Sequence, residues 1–525
     1  MGILQNAMDV TARKLVVSDF YDQLERLFHG SKPIAKLFRT RNKGYLYDTG
    51  TNKIVACDET ECVILDYLFS YPANGTVSEA LLKIEPHKLE NSFRNILNTV
   101  EKENILLTRK AAQFALSSHF KDHEELIDTH LKQIQLEITE NCNLRCRYCI
   151  YNSFVHNKRN HSEFVMDSNV AYRAIDYLGT HSKHRNRICI SFYGGEPILR
   201  FTFIKECVAY AKRQLSGRTL DFSMTTNGTL LTEEMAQFLY SNGFSLTFSI
   251  DGPSDIHDEY RKDANGVGSF LRALTGLQSA LDAFGPGARD RIMINMVYAP
   301  PFSENKLNRI CELWTEYPSL LQGIRATITY PLLGTIAPDI NGSCILREDK
   351  SIQKWAFEKY LIAYISKKPV MPLIAGIVET PLARLFQRPV YTKPVSNYHL
   401  NGCCIPGARK LYVTAKGNYY LCERMPTAAR TIGNVFSGID RGTIREIYVD
   451  GYAKASIADC SCCWAIQLCR ICYALCSNSE GVDISRKRLE CAVERKALEH
   501  ALEFYCELLE LDSRGLDFLK NFILE

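Results

Sequence analysis

The stretch NCNLRCRYCIYN sets Cys142, Cys146 and Cys149 in a CxxxCxxC spacing directly after the strand-like run IQLEIT. Thiols this crowded, in a chain without secretory features, point to metal rather than to disulfides. Zinc and cubic iron-sulfur clusters both usually take four protein ligands. This stretch supplies three, because Asn141, Asn143 and Tyr148 are poor donors and no histidine follows until His156. Two chemistries fit: a zinc loop or partial disulfide set, or a 4Fe-4S cluster whose open iron takes a small chelating molecule.

A second concentration of thiols lies downstream, where ten of the 20 cysteines fall between Cys403 and Cys491. Cys404 is followed after twelve residues by Gly417 and after four more by Cys422. Cys460, Cys463, Cys469, Cys472 and Cys476 then come at intervals of two, five, two and three residues, and Cys491 closes the set. One zinc ion cannot use ten thiols. Two four-thiolate clusters would use eight, and a pair of zinc sites is the alternative, since thiolate spacing does not separate zinc from iron.

These residues need a frame. A chain of 525 residues suggests two to four domains. Its 46% apolar and 23% charged content is that of a globular protein, and a net charge of +4 gives no indication of a nucleic-acid partner or an anionic membrane surface. The opening MGILQNAMDVTARKLVVSDF lacks the apolar run of a signal peptide or membrane span, so a cytoplasmic protein is expected.

Strand-like runs recur at IQLEIT, RICISFY, LDFSMTT, FSLTFSI, RIMINMVY and IRATITYP, with helical patterns between the earlier ones. Six alternations predict parallel βα units in a full or partial barrel, with chemistry at the carboxyl ends of the strands. Upstream, GYLYD, the turn TGTN and KIVAC predict a hairpin, followed by three helices in a winged-helix-like unit. Downstream, SIQKWAFEKYLIAYISKK and IVETPLARLFQ predict a helical bridge, the cysteine-rich module is expected to be short of regular structure, and RLECAVERKALEHALEFYCELLELDS a closing helix. The expected division is 1–115, 116–335, 336–400, 401–492 and 493–525.

With its aromatic Tyr148 before the third cysteine, CxxxCxxC resembles the signature of the radical S-adenosylmethionine (SAM) enzymes. Further segments at successive strand ends carry the resemblance: SFYGGEP with Gly194, Gly195, Glu196 and Pro197; MTTNGTLL with Thr226 and Asn227; FSIDGP with Ser249 and Asp251; and IHDEYRKDANGVGSF with Arg261. The resemblance implies an α/β fold with a partial (β/α)6 barrel. It also implies SAM on the open iron and release of a 5'-deoxyadenosyl radical after one-electron cleavage. The residues of these segments would contact SAM. Taken singly, GGEP could be a plain βα turn, Thr226 or Asp251 a helix cap, and Arg261 a surface partner of Asp258 or Glu259.

The later cysteines resemble the SPASM domain, which implies two auxiliary 4Fe-4S clusters and three in all. One would use Cys404 and Cys422 with Cys476 or Cys472, and Cys403 as a possible fourth. The other would use Cys460, Cys463, Cys469 and Cys491, leaving Cys462 spare. The family pattern asks for a cysteine where Tyr473 stands, so Cys472 or Cys476 must replace it. Glu423 matches an acidic residue that serves as a base in sulfatase-maturing relatives, and an exposed surface carboxylate is the plain reading.

The amino-terminal unit resembles the peptide-recognition element of enzymes that modify ribosomally made peptides, in which a leader pairs with an exposed strand edge. The resemblance therefore implies a precursor peptide as partner, an electron donor such as flavodoxin or ferredoxin, and cross-linking with thioether favoured over carbon-carbon or carbon-oxygen bonds. A formylglycine-generating sulfatase maturase is the rival enzyme, and a cluster scaffold or electron carrier the rival without catalysis.

Overall fold

The computed structural model describes residues 17–20, 22–23, 26, 32–70, 79–108, 110, 114, 123–151, 161–331, 352–395, 398, 402–426 and 428–523. The boundaries expected at 115, 335 and 400 fall outside these residues, as does most of the amino-terminal helix expected in the first thirty.

Residues 32–108 form a three-stranded antiparallel sheet, β1 (Ala35–Arg39), β2 (Gly44–Asp48) and β3 (Ile54–Cys57), packed on helices α1 (Glu59–Ser70) and α2 (Pro86–Glu103). The hairpin read from sequence is β2–β3, and β1 is an added strand. This unit has its own apolar core, built on Leu46, Leu65, Leu89, Phe93 and Val100. Among the described residues β3 pairs only with β2, so its other edge is open in the sheet order.

The six strands expected for the barrel are all present: β4 (Gln133–Thr139), β5 (Arg187–Gly194), β6 (Thr219–Thr226), β7 (Phe244–Ser249), β8 (Ile292–Val297) and β9 (Arg325–Thr329). They pair parallel in sequential order, the arrangement of a (β/α) barrel. The connecting helices include α3 (Ser168–Thr180), α4 (Phe201–Gln214), α5 (Glu233–Ser241), α6 (Phe270–Phe284) and α7 (Glu304–Glu316). Asp167, Thr232 and Ser303 start three of them by accepting a backbone N–H in the first turn, as short polar side chains do at helix N-termini.

Side chains alternate across each strand. Ile134, Leu136, Ile138, Ile190, Phe192, Phe222, Phe248 and Ile294 form one face, buried in the main core. The opposite face carries Gln133, Gln135, Glu137, Ser191 and Ser223, where Gln133 Nε2 donates to Ser191 Oγ at 2.5 Å and the two serine hydroxyls bond one another. A barrel interior meant only for packing is filled with branched apolar residues. A polar interior costs stability unless it binds something polar.

The cysteine-rich region departs from expectation in one respect. Its first hairpin, β10 (Lys410–Val413) and β11 (Tyr419–Tyr420), joins the barrel sheet: β10 runs parallel to β4, giving the order β11-β10-β4-β5-β6-β7-β8-β9. Helices α8 (Ile352–Ile365) and α9 (Pro372–Phe386) form the bridge, α10 (Tyr452–Cys460) precedes the dense thiols, and α11 (Ile484–Leu511) runs unbroken across position 492. Among the described residues no helix is long and apolar enough to cross a membrane.

Candidate functional site

Strand β4 ends at Thr139, and the chain turns directly into the three-cysteine loop at the carboxyl end of the barrel. Cys142, Cys146 and Cys149 sense one another's charge. Each sulfur accepts from a different part of the fold. Cys142 takes the Leu144 N–H at 3.4 Å and Asn227 Nδ2 at 3.9 Å, Cys149 takes the Tyr151 N–H at 3.4 Å, and Cys146 takes Arg261 Nη1 at 3.9 Å. Such donors stabilise thiolate. Burial opposes them, pushing Cys146 up to about 12 against the pull of Arg261. Thiols raised in this way lose their protons to a metal rather than to water. Among the described residues no three His, Cys, Asp or Glu side chains converge on a position for a single ion. The donor set, three cysteine sulfurs with Cys146 buried and Cys142 and Cys149 half-buried, each with its own N–H, fits an iron-sulfur cluster.

The strand ends that follow are tied to this loop. Gly194 and Gly195 allow a close approach, but to the protein's own backbone: a side chain at either would meet the carbonyl of Thr139 or Asn141 within about 2.2 Å, and Gly194 has a φ of +137°. Glu196 is buried and accepts from the Ile198 N–H (3.1 Å), Thr226 Oγ1 (2.7 Å) and the Asn227 N–H (2.7 Å). Burial pushes its carboxyl up to about 6 despite these donors. It is a strut between β5 and β6. Pro197 opens the short helical turn after it. Asn227 reaches back to Asn143 Oδ1 at 2.9 Å, and Ser249 ends β7.

Asp251 and Arg261 form a buried ion pair at 2.9 Å, their side chains 2% and 8% exposed. Asp251 also accepts the Tyr148 hydroxyl and, at 2.9 Å, the Val297 N–H. The guanidinium lies 5.4 Å from the Tyr148 ring centroid. This corrects the plain reading of Arg261, since its partner is neither Asp258 nor Glu259. Asp258 instead receives the N–H groups of Ser269 and Phe270 that open α6, and Glu259 pairs with Lys306.

Two residues of this site escaped the sequence reading. Glu137, mid-strand in β4, is buried and accepts the hydroxyls of Tyr151 (2.5 Å) and Tyr412 (2.7 Å) and the Ala415 N–H, which links the cysteine loop to the β10 hairpin. The signal was available: a carboxylate in the middle of an apolar run. Lys410 is the other. It opens β10, level with Gln133, and pairs with Glu423 at 2.6 Å. Burial pushes the Glu423 carboxyl up, but Lys410 outweighs it and holds the group below the usual carboxylate range. Glu423 is therefore neither an exposed surface acid nor a free base. It is one half of an ion pair at the amino-terminal end of the strands, opposite the three cysteines.

The later thiols fall into two groups. Cys460, Cys463, Cys469 and Cys491 line one cavity together with Tyr452, Lys487 and Glu494. Elsewhere Cys403 senses the charge of Cys472 and Cys476, Cys422 and Cys476 that of Cys472, and Cys472 that of Cys404, while Cys476 donates toward the Tyr452 hydroxyl. Cys462 is exposed.

Residues 136–313 match the radical SAM superfamily. Most of the barrel lies within this match. The serine-type anaerobic sulfatase-maturating enzyme of Bacteroides thetaiotaomicron is 36% identical over 138 residues, 26% of this chain and 33% of its own. The cysteine-type enzyme of Clostridium novyi is 34% identical over 143 residues, 27% and 37% of the two chains. The radical SAM cyclopropyl synthase TigE of Paramaledivibacter caminithermalis is 25% identical over 169 residues, 30% and 36%. The chain thus spans about a third of the length of these curated relatives. In fold, native anSMEcpe with bound AdoMet and Cp18Cys peptide superposes with a TM-score of 0.52 at 18% identity, covering 75% of this chain and 100% of that one. The fold likeness therefore extends past residues 136–313 into neighbouring parts of the chain.

Proposed function

We propose that this chain is a SAM-dependent oxidoreductase that cross-links residues of a ribosomally made precursor peptide. Cys142, Cys146 and Cys149 would hold a 4Fe-4S cluster, with SAM framed by Tyr148, residues 194–197, Thr226, Asn227, Ser249, Asp251 and Arg261. Bound there, the two supply reductive carbon-sulfur cleavage and hydrogen abstraction from an unactivated carbon. An electron donor such as flavodoxin or ferredoxin would serve the cluster in a reducing, cytoplasmic setting.

The chain's own residues do the rest. Glu196, Thr226 and Asn227 lock the strand ends so that the site is set before substrate arrives, which removes reorganisation from the reaction. The polar inner face of β4, β5 and β6 offers hydrogen bonds to a peptide backbone. Cys403, Cys404, Cys422 and Cys472 would carry one auxiliary cluster of a SPASM-type module, with Cys476 behind them. Cys460, Cys463, Cys469 and Cys491 would carry the other. A thioether is the favoured product, ahead of carbon-carbon and carbon-oxygen links.

The observation that carries the peptide reading is a groove beside β3, lined by Lys53, Ile54, Val55 and Ala56, by Asn98, Thr99, Lys102 and Glu103 of α2, and by Arg388 and Val390, with Lys53 and Glu103 ion-paired at 2.8 Å. An extended leader could add to the sheet there. The identity to sulfatase-maturating enzymes favours a second reading, oxidation of a Cys or Ser to formylglycine. Mass spectrometry of a precursor peptide encoded beside this protein, after incubation with protein, reductant and SAM, separates the two. Cross-linking removes two hydrogens per bond and leaves no aldehyde, whereas a hydrazide-reactive product would support formylglycine. An unaltered peptide that also fails to bind would remove the precursor reading.

A further inference from the structure

Lys487 is buried, 3% exposed, at the start of α11. Its Nζ donates to Ser456 Oγ at 2.6 Å and to Cys460 Sγ at 3.2 Å, and stands 5.1 Å from the Tyr452 ring centroid. Four residues on, and so on the same helical face, is Cys491. Both line the cavity of Cys460, Cys463 and Cys469.

Among the described residues no carboxylate pairs with this ammonium. Asp459, next to Cys460, is turned to Arg488 at 2.8 Å. Asp459 still senses the Lys487 charge and Glu494 of the cavity is paired with Arg470, so the charge-bearing group that Lys487 itself touches is the Cys460 sulfur. The other thiol groups differ. Arg261, which faces Cys146, is matched by Asp251, and Arg409 faces the exposed Cys404 at 3.8 Å. A buried ammonium bonded directly to a thiol sulfur, and in no ion pair among the described residues, therefore belongs to the four-thiol cavity.

We propose that Lys487 is a positioning residue that raises the reduction potential of the cluster in this cavity above that of the barrel-mouth cluster. This rests on the reading of the cavity as an iron-sulfur site. Reduction adds one electron and makes or breaks no bond. Four thiolates leave such a cluster anionic, so each added electron is favoured by a fixed positive charge in low dielectric and by a hydrogen bond to a ligand sulfur.

The test is an EPR-monitored redox titration of the full chain, assembled anaerobically, as wild type, Lys487→Met and Lys487→Arg. The signal of this cavity is the one abolished by Cys460→Ala. At the wild-type midpoint the reduced-to-oxidised ratio is expected to fall at least tenfold in Lys487→Met, a shift of about 59 mV for one electron. Lys487→Arg should stay within threefold of wild type. A Lys487→Met protein that titrates with wild type overturns the proposal and leaves the cluster reading standing. If Lys487→Met loses iron, Lys487→Arg decides: iron and ratio retained supports the charge role, and loss in both makes Lys487 a structural prop and overturns it. A wild-type protein without any iron signal dependent on Cys460 overturns the cluster reading, and the proposal with it.

Discussion

At the scale of single residues, the barrel mouth is organised by Asp251, which collects Arg261, the Tyr148 hydroxyl and the Val297 N–H while almost wholly buried. Removing one partner of a buried pair strands the other charge, so Asp251→Ala should destabilise the protein by about 3–5 kcal/mol. Urea unfolding of wild type and variant would measure this, and a loss within error would mean that Arg261 finds another partner. The three cysteines, Glu196 and Arg261 could be singled out from sequence because each sits in a short motif, and the structure gathers them at the ends of β4 to β7. The partner of Arg261 was not. Asp258 and Glu259 stand next to it in sequence, but a helix turns them to other tasks, and the residue that does pair arrives from the end of β7. The partner of Glu423 was hidden for the same reason, since nothing in CERM announces that Lys410 lies 2.6 Å away.

At the scale of elements, two surfaces invite measurement. Thr99 lines the β3–α2 groove, where an indole would take up space that a bound leader needs. Thr99→Trp is expected to weaken precursor binding at least tenfold, read by fluorescence anisotropy, with iron content unchanged. Unaltered affinity would send the leader elsewhere. On α11, Glu503 stands among Glu499, Glu507, Lys36 and Lys354, and burial followed by the two glutamates pushes its carboxyl up to about 7. A raised carboxyl contributes stability below its unfolded value, near 4.5, and loses it as pH rises through 7. Glu503→Gln should therefore melt with wild type at pH 4.5 and above it at pH 8, by on the order of 1 kcal/mol after allowance for partial exposure. Calorimetry at both pH values checks the sign. The six barrel strands were readable because period-two patterns are local. Strand β1 was hidden in the short basic run AKLFR, and the union of β10 with β4 could not be read at all, because pairing partners 277 residues apart leave no mark on either segment.

At the scale of the whole molecule, the amino-terminal unit is fastened at two places: Thr40, Asn42 and Tyr45 donate to Glu510 of α11, and the TGTN turn bonds to the bridge and the cysteine-rich region. Thr49 Oγ1 donates to the Trp464 carbonyl at 2.8 Å, Asn52 Nδ2 to the Pro389 carbonyl at 3.0 Å and to Gln467 Oε1 at 3.1 Å, and Arg388 Nε to the Asn52 carbonyl at 2.8 Å. Asn52 is buried with a φ of +59°, which asparagine tolerates and alanine does not. Asn52→Ala should cost about 2–4 kcal/mol from lost buried hydrogen bonds and backbone strain, and should lower the calorimetric transition. An unshifted transition would mean that the units are held by other contacts. A fastened unit also behaves differently from one on a leash. The span from its groove to the barrel mouth is a constant, so a peptide occupying both must carry that length itself, at about 3.3–3.6 Å per extended residue. On the proposed reading the fold is a measuring stick: trimming the spacer below that length should stop modification abruptly, while padding it should slow the reaction only gradually.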